Sequence, residues 1–172
     1  HVLTMPGTDH VGAMAMAVGA AARAVLWTAV GVHLLVVEYL FIRYGQGKNS
    51  LLTVGKFFGL HLASIMMVQL VLVARIPWLD RRIGMDRLTV WHRWIGFGLV
   101  WTLTLHFTFI IAGYTALGSD SPWATFLSLA GVTASLLGMC AAAIILVVAS
   151  VSIRYVRRRL PYEAWHALHL LL

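Results

Sequence analysis

Four long apolar segments constrain this chain more than any other feature of its sequence. Each is long enough to cross a bilayer as a helix, which takes roughly 20 residues. The segments lie between the charged residues Arg23 and Arg43, Lys56 and Arg75, Arg93 and Asp120, and Asp120 and Arg154. A fifth apolar segment begins at Pro161 and is cut off at Leu172, too short to span a membrane. We therefore expect five spans, the last truncated, and expect the chain to be a fragment.

The apolar segments also decide the fold class. Hydrophobic residues make up 60% of the 172 residues and charged residues only 11%, which excludes an ordinary soluble domain. Backbone groups in lipid must be satisfied by helices or by a closed barrel, and continuous apolar runs without alternation exclude the barrel. The sequence predicts an all-α polytopic transmembrane bundle at residues 13–172, preceded by a tail at residues 1–12. The single cysteine, Cys140, rules out an internal disulfide and a cysteine-based metal site.

The basic residues predict the orientation of the bundle. They cluster in two of the turns between spans, which hold Arg75, Arg81, Arg82, Arg87 and Arg93, and Arg154, Arg157, Arg158 and Arg159. The turn at residues 118–122 holds no Lys or Arg. By the positive-inside rule the Arg-rich turns and the N-terminus face the cytoplasm of a multi-pass cell-membrane protein. The net charge of +7 therefore indicates contact with the lipid bilayer and gives no support for a nucleic-acid partner.

Histidines provide the strongest indication of chemistry. Six of the eight lie in or beside spans, namely His33, His61, His92, His106, His166 and His169. Ionisable groups in a bilayer are costly and usually functional. His92 and His106 are 14 positions apart in the third span, which is about 40° short of four full turns, so they share a face at an axial separation of roughly 21 Å. That distance is too long for a shared metal ion but suits two stacked haems, each bound by one of these imidazoles.

Three neighbours of these histidines are candidate cofactor contacts. Gly96 and Gly113 lie on the same face, where the lack of a side chain would admit a flat macrocycle. Close packing of two helices explains these glycines equally well. Arg93, adjacent to His92, is the best candidate to bind a haem propionate.

The second ligand of each haem is sought on the fifth span. His166 and His169 lie in its first turns, at the depth of His92, and the residues alone do not choose between them. A partner for His106 is expected beyond Leu172. His33 and His61 lie at middle depth, so we expect them to hydrogen-bond a neighbouring helix, a propionate or water.

Two segments of the chain resemble a known family. Residues 87–97, RLTVWHRWIGF, together with His106, and residues 157–172, RRRLPYEAWHALHLLL, are similar to the ferric reductase-like transmembrane domain. This superfamily includes NADPH oxidases, ferric reductases and bacterial flavohaem reductases, and the resemblance covers about residues 25–172. It implies a six-helix bundle with two b-type haems held by the third and fifth helices. It also implies a cytoplasmic module for FAD and NAD(P)H, which this chain lacks.

The resemblance further implies roles for individual residues. His92 and His169 would bind the inner haem, with His166 as a neighbour, and His106 would bind the outer haem. Electrons would pass from the cytoplasmic flavin and nicotinamide reductase module through both haems to an acceptor on the outer side. One alternative is a haem cytochrome fed by quinol or by a separate flavoprotein. Another is a non-redox transporter or assembly subunit with buried histidines. The sequence does not identify the acceptor, which could be ferric iron, oxygen or a protein.

Overall fold

The computed structural model describes residues 8–118 and 121–152, together with Pro161, Glu163, Ala164 and Ala167. Its six helices are α1 (Thr8–Tyr44), α2 (Ser50–Val73), α3 (Pro77–Ile83), α4 (Met85–Gly118), α5 (Pro122–Ala130) and α6 (Thr133–Ser152). The described residues form no strand. The predicted all-α fold is therefore confirmed.

Four of the helices are long and apolar enough to cross a membrane: α1 from Gly12 onward, α2, α4 and α6. They correspond to the four predicted spans. Helix α1 begins at Thr8, so part of the predicted tail at residues 1–12 is helical. Most of the predicted fifth span, including its two histidines, lies outside the described residues.

Two short helices, α3 and α5, occupy turns for which the sequence analysis predicted no helix. Each begins with a proline in its first turn, where the missing N–H leaves no helical hydrogen bond unmade. The side chain of Ser121 caps α5 by accepting a hydrogen bond from the Ala124 N–H at 3.1 Å. Gly84 ends α3 with a φ of 89°, a conformation that favours glycine. These prolines and caps were visible in the sequence.

Helices α2 and α4 run antiparallel and pack closely. The close approaches pair Leu52 with Gly113, Gly55 with Ile110, Gly59 with His106, and Gln69 with Gly96. As the residue number rises along α2, the number of the partner on α4 falls by the same amount, so all four pairs belong to one antiparallel register. A side-chain carbon added to any of these glycines would come within 2.7–3.0 Å of its partner. Glycine therefore allows this separation of the two backbones.

Contacts at both ends fix the register. At one end Leu72, Leu79 and Leu88 form a buried cluster that joins α2, α3 and α4. At the other, Asn49 accepts a hydrogen bond from the Leu52 N–H at 2.8 Å and donates its Nδ2 to the Gly113 carbonyl at 2.9 Å. One side chain thus caps α2 and ties it to α4.

Helices α1 and α6 lie against this pair. Helix α1 packs on α2 through the Phe41 and Phe57 rings, whose centroids are 5.3 Å apart, and on α4 through Trp27 and Trp91, at 5.1 Å. Helix α6 has no buried residue among those described, which leaves most of its apolar surface for lipid or further helices.

Candidate functional site

The two histidines of the third span lie on one continuous helix, α4. Its buried residues, Leu88, Leu99, Leu103 and Gly113, fall by helical spacing on the face that carries His92 and His106. Leu99 and Leu103 lie between the histidines along the chain and are almost completely buried. The predicted common face of the two histidines is therefore also the buried face of α4.

His106 is oriented by helix α2. Its Nδ1 lies 2.8 Å from the Gly55 carbonyl oxygen. A carbonyl can only accept, so Nδ1 carries the proton and the lone pair of the neutral ring lies on Nε2. Within the described part of the chain, Nε2 forms no hydrogen bond. Histidines that bind metals typically donate their other ring N–H in this way, which fixes both tautomer and ring orientation.

Gly59 makes room for the His106 ring. A Cβ at this position would lie 2.7 Å from Cε1 and 2.8 Å from Nδ1 of His106, closer than real contacts allow. Gly55 thus supplies the carbonyl that orients the ring, and Gly59 supplies the space. The sequence analysis missed both glycines, although their four-residue spacing in an apolar helix is typical of a helix-packing face.

A buried amide side chain lies beside the backbone of His92. Gln69 on α2 is only 6% exposed and donates its Nε2 to the His92 carbonyl oxygen at 3.1 Å. The Gln69 Oε1 has no hydrogen-bond partner among the described residues. The Nδ1 atom of His92 is itself buried. Gln69 was also missed, although a lone amide inside an apolar span was a sufficient signal.

The remaining neighbours of these histidines also have defined positions. Gly96 faces the Gln69 amide and Gly113 faces Leu52, so both permit close helix contact, the alternative that the sequence left open. The Arg93 side chain is exposed, and its guanidinium carbon lies 5.9 Å from the centre of the Trp94 ring. Contact of Gly96, Gly113 or Arg93 with a haem stays a prediction.

The four remaining histidines in or beside the spans fall into two groups. His166 and His169 lie outside the described residues, so their ligand roles stay predictions. His33 has a buried Nε2 with no hydrogen-bond partner in the described ranges 8–118 and 121–152. His61 hydrogen-bonds a neighbouring helix as expected, through Glu38 of α1.

Glu38 and His61 form a hydrogen-bonded pair between α1 and α2. His61 Nε2 lies 2.9 Å from Glu38 Oε1, and its Nδ1 lies 2.9 Å from the Phe57 carbonyl oxygen. Nδ1 must donate to that carbonyl, so a hydrogen bond between Nε2 and Glu38 requires one further proton, on either group. With that proton the pair is neutral overall, which lowers the cost of placing a carboxyl group within a span. The sequence analysis did not single out Glu38.

The described residues contain no group of three or more His, Cys, Asp or Glu side chains arranged to hold a metal ion. Helix α4 carries two separate imidazoles on one face. The His106 imidazole has a defined tautomer, and its Nε2 is available as a ligand. This donor set fits a cofactor that supplies its own equatorial ligands, as a haem does.

Comparison with known proteins identifies a family for this chain. A family model described as ferric reductase like transmembrane component matches residues 58–172, about two thirds of the chain. The match includes α4 with both histidines, α6 and most of α2. No curated protein and no solved structure matches the chain significantly.

Proposed function

We propose a function from one premise, that this chain belongs to the ferric reductase-like transmembrane component family. Membership makes it a multi-pass membrane domain of an oxidoreductase family. The proposal is that the chain carries electrons across the membrane through b-type haems, held by His92 at one depth and His106 at the other.

The observation that carries the proposal is the environment of His106. The ring donates Nδ1–H to the Gly55 carbonyl, and Nε2 has no hydrogen-bond partner among the described residues. When bound, a haem supplies the one-electron redox chemistry of its iron. The protein residues would hold the imidazole in a fixed orientation through its hydrogen bond to Gly55.

Residues between the two histidines would control the medium for electron transfer. Leu99 and Leu103 are almost completely buried in the interval, which excludes water from it. Apolar packing of this kind would give a low-dielectric medium between the two proposed haems. At the other level, Gln69 holds the backbone of His92 against α2 through its hydrogen bond.

The remaining parts of the proposal rest on the family resemblance and on charge. His169, with His166 as its neighbour, is the proposed second ligand of the inner haem. Electrons would come from a cytoplasmic module that binds FAD and NAD(P)H and would leave to an acceptor on the outer side of the plasma membrane. The positive-inside rule supports this orientation, because the Arg-rich turn at residues 75–93 lies at the end of the bundle nearer to His92.

An absorption spectrum of the purified protein tests the proposal. We expect the sharp reduced bands of six-coordinate, low-spin b-type haem, and we expect His92→Ala and His106→Ala each to remove a separate haem population. His33→Ala is the matched control, because His33 also lies in a span but is not a proposed ligand; it should keep its haem. Circular dichroism and gel filtration establish that each variant is folded.

Three outcomes would contradict the proposal or part of it. Unchanged haem content in a folded His92→Ala or His106→Ala variant excludes that residue as a ligand. A wild-type protein without haem bands favours the transporter alternative. Reduction by quinol, with no response to a flavin and nicotinamide reductase, favours the quinol-fed cytochrome.

A further inference from the structure

Three arginines from three different helices surround one cavity at the end of the bundle where α3 links α2 to α4. Arg23 belongs to α1, Arg82 to α3 and Arg87 to α4. The cavity is a shallow, widely open depression with a volume of about 440 Å³, and the Arg82 and Arg87 side chains are exposed. Its remaining lining is Met16, Gly19 and Ile83.

Close packing of α1 on α3 brings the arginines together. A Cβ on Gly19 would lie 3.0 Å from the Arg82 carbonyl oxygen and 3.6 Å from Nη1 of Arg23. Glycine therefore lets the α1 backbone approach the residue that carries the second guanidinium. The Arg23 guanidinium lies beside the same contact between Gly19 and Arg82.

No carboxylate of the described residues is paired with these three positive charges. Like charges gathered around one cavity repel each other, and the repulsion is larger near a low-dielectric membrane than in water. An anion in the cavity would relieve this repulsion. Phosphate is a suitable anion, because two of its oxygens can accept two parallel hydrogen bonds from one planar guanidinium group.

The position of the cavity favours a lipid headgroup over a free phosphate ion as the source of the phosphate group. Trp27 of α1 packs on Trp91 of α4, and eight residues earlier Gly19 lies against the Arg82 backbone, so the cavity is at the end of the spans. This is the level of the lipid headgroups. Basic pockets between membrane helices commonly bind anionic headgroups.

We propose that Arg23, Arg82 and Arg87 form a binding site for the phosphate group of an anionic phospholipid at this end of the bundle. The site lies outside the proposed haem-binding face. It does not depend on haem binding or on the direction of electron transfer.

The test measures lipid binding to the purified protein in a neutral detergent. Native mass spectrometry counts bound lipids during titration with phosphatidylglycerol or phosphatidylcholine. We expect Arg82→Gln to weaken phosphatidylglycerol binding about tenfold, with similar effects for Arg23→Gln and Arg87→Gln. Arg81→Gln is the matched control, because it removes the same charge one residue away without lining the cavity; its effect should be less than twofold.

Comparisons on the wild-type protein keep the test decisive even if a variant does not fold. Phosphatidylglycerol should bind at least tenfold more tightly than phosphatidylcholine, and inorganic phosphate at the same concentration should not displace it. Equal binding of the two lipids would overturn the proposal, as would equal effects of Arg81→Gln and Arg82→Gln. Displacement by inorganic phosphate at lipid concentrations would show a free-anion site and overturn the lipid assignment.

Discussion

Replacing Gly59 with alanine tests the role of α2 in orienting His106. The new methyl group would lie 2.7 Å from Cε1 and 2.8 Å from Nδ1 of the ring. These distances are about 0.7–1.3 Å shorter than an ordinary contact of ~3.5–4.0 Å. Either the ring must turn, which breaks its hydrogen bond to Gly55, or α2 and α4 must move apart, which stretches the same hydrogen bond.

The expected cost follows from these two routes. Overpacking of this kind costs about 1–3 kcal/mol. Loss of the 2.8 Å hydrogen bond to Gly55 adds about 0.5–1.5 kcal/mol. Alanine is favoured over glycine inside a helix by about 1 kcal/mol, which offsets part of the penalty. We therefore expect Gly59→Ala to lower the free energy of unfolding by roughly 0.5–3.5 kcal/mol.

Gly98→Ala is the matched control. Gly98 lies on the exposed side of α4, and a Cβ there meets nothing within 4 Å. The control has the same gain in helix propensity without the clash, so Gly59→Ala should be less stable than Gly98→Ala by about 1.5–4.5 kcal/mol.

Thermal and denaturant unfolding in detergent measure the stability difference, and the reduced spectrum measures the haem assigned to His106. We expect Gly59→Ala to lose or perturb that haem and to leave the one assigned to His92. Equal stability of the two alanine variants would refute the steric argument. A stability loss with an unchanged haem would instead refute only the ligand role of His106.

Two further predictions concern polar contacts between helices. Glu38→Gln should lower the free energy of unfolding by about 1–3 kcal/mol, because it replaces the carboxyl partner of His61 with a neutral amide, which is a weaker partner. In a double-mutant cycle with His61→Phe the two losses should not add, and full additivity would show that the pair is not coupled. Asn49→Ala should cost about 2 kcal/mol, since it removes both a helix cap and the bond to the Gly113 carbonyl. Ser121→Ala, which removes only a cap, should cost about 1 kcal/mol, and equal losses in these two unfolding measurements would contradict the double role of Asn49.

The long helices and the face of α4 could be predicted from the sequence because both depend on local periodicity. Apolar segments of membrane length indicate spans whatever their neighbours are. The angular positions of His92 and His106 follow from helix geometry alone. The short helices α3 and α5 also had local signals, namely Pro77, Pro122 and the cap at Ser121.

Contacts between helices could not be predicted in the same way. The pairing of His106 with Gly55 and Gly59 depends on the register of α2 against α4, which the close approach of the backbones fixes. Glu38 and His61 meet because α1 packs on α2 at this level of the bundle. No spacing within a single helix carries that information.

The matched register of α2 and α4 has a consequence for how the protein responds to its bilayer. Sliding one helix along the other would displace the ring of His106 from Gly59 and bring side chains against the other glycines at the same time. A thinner or thicker membrane is therefore accommodated by tilting both helices together, which avoids the cost of exposing apolar surface. The distance between the levels of His92 and His106 would then be the same in membranes of different thickness, and only the inclination of their common axis would change.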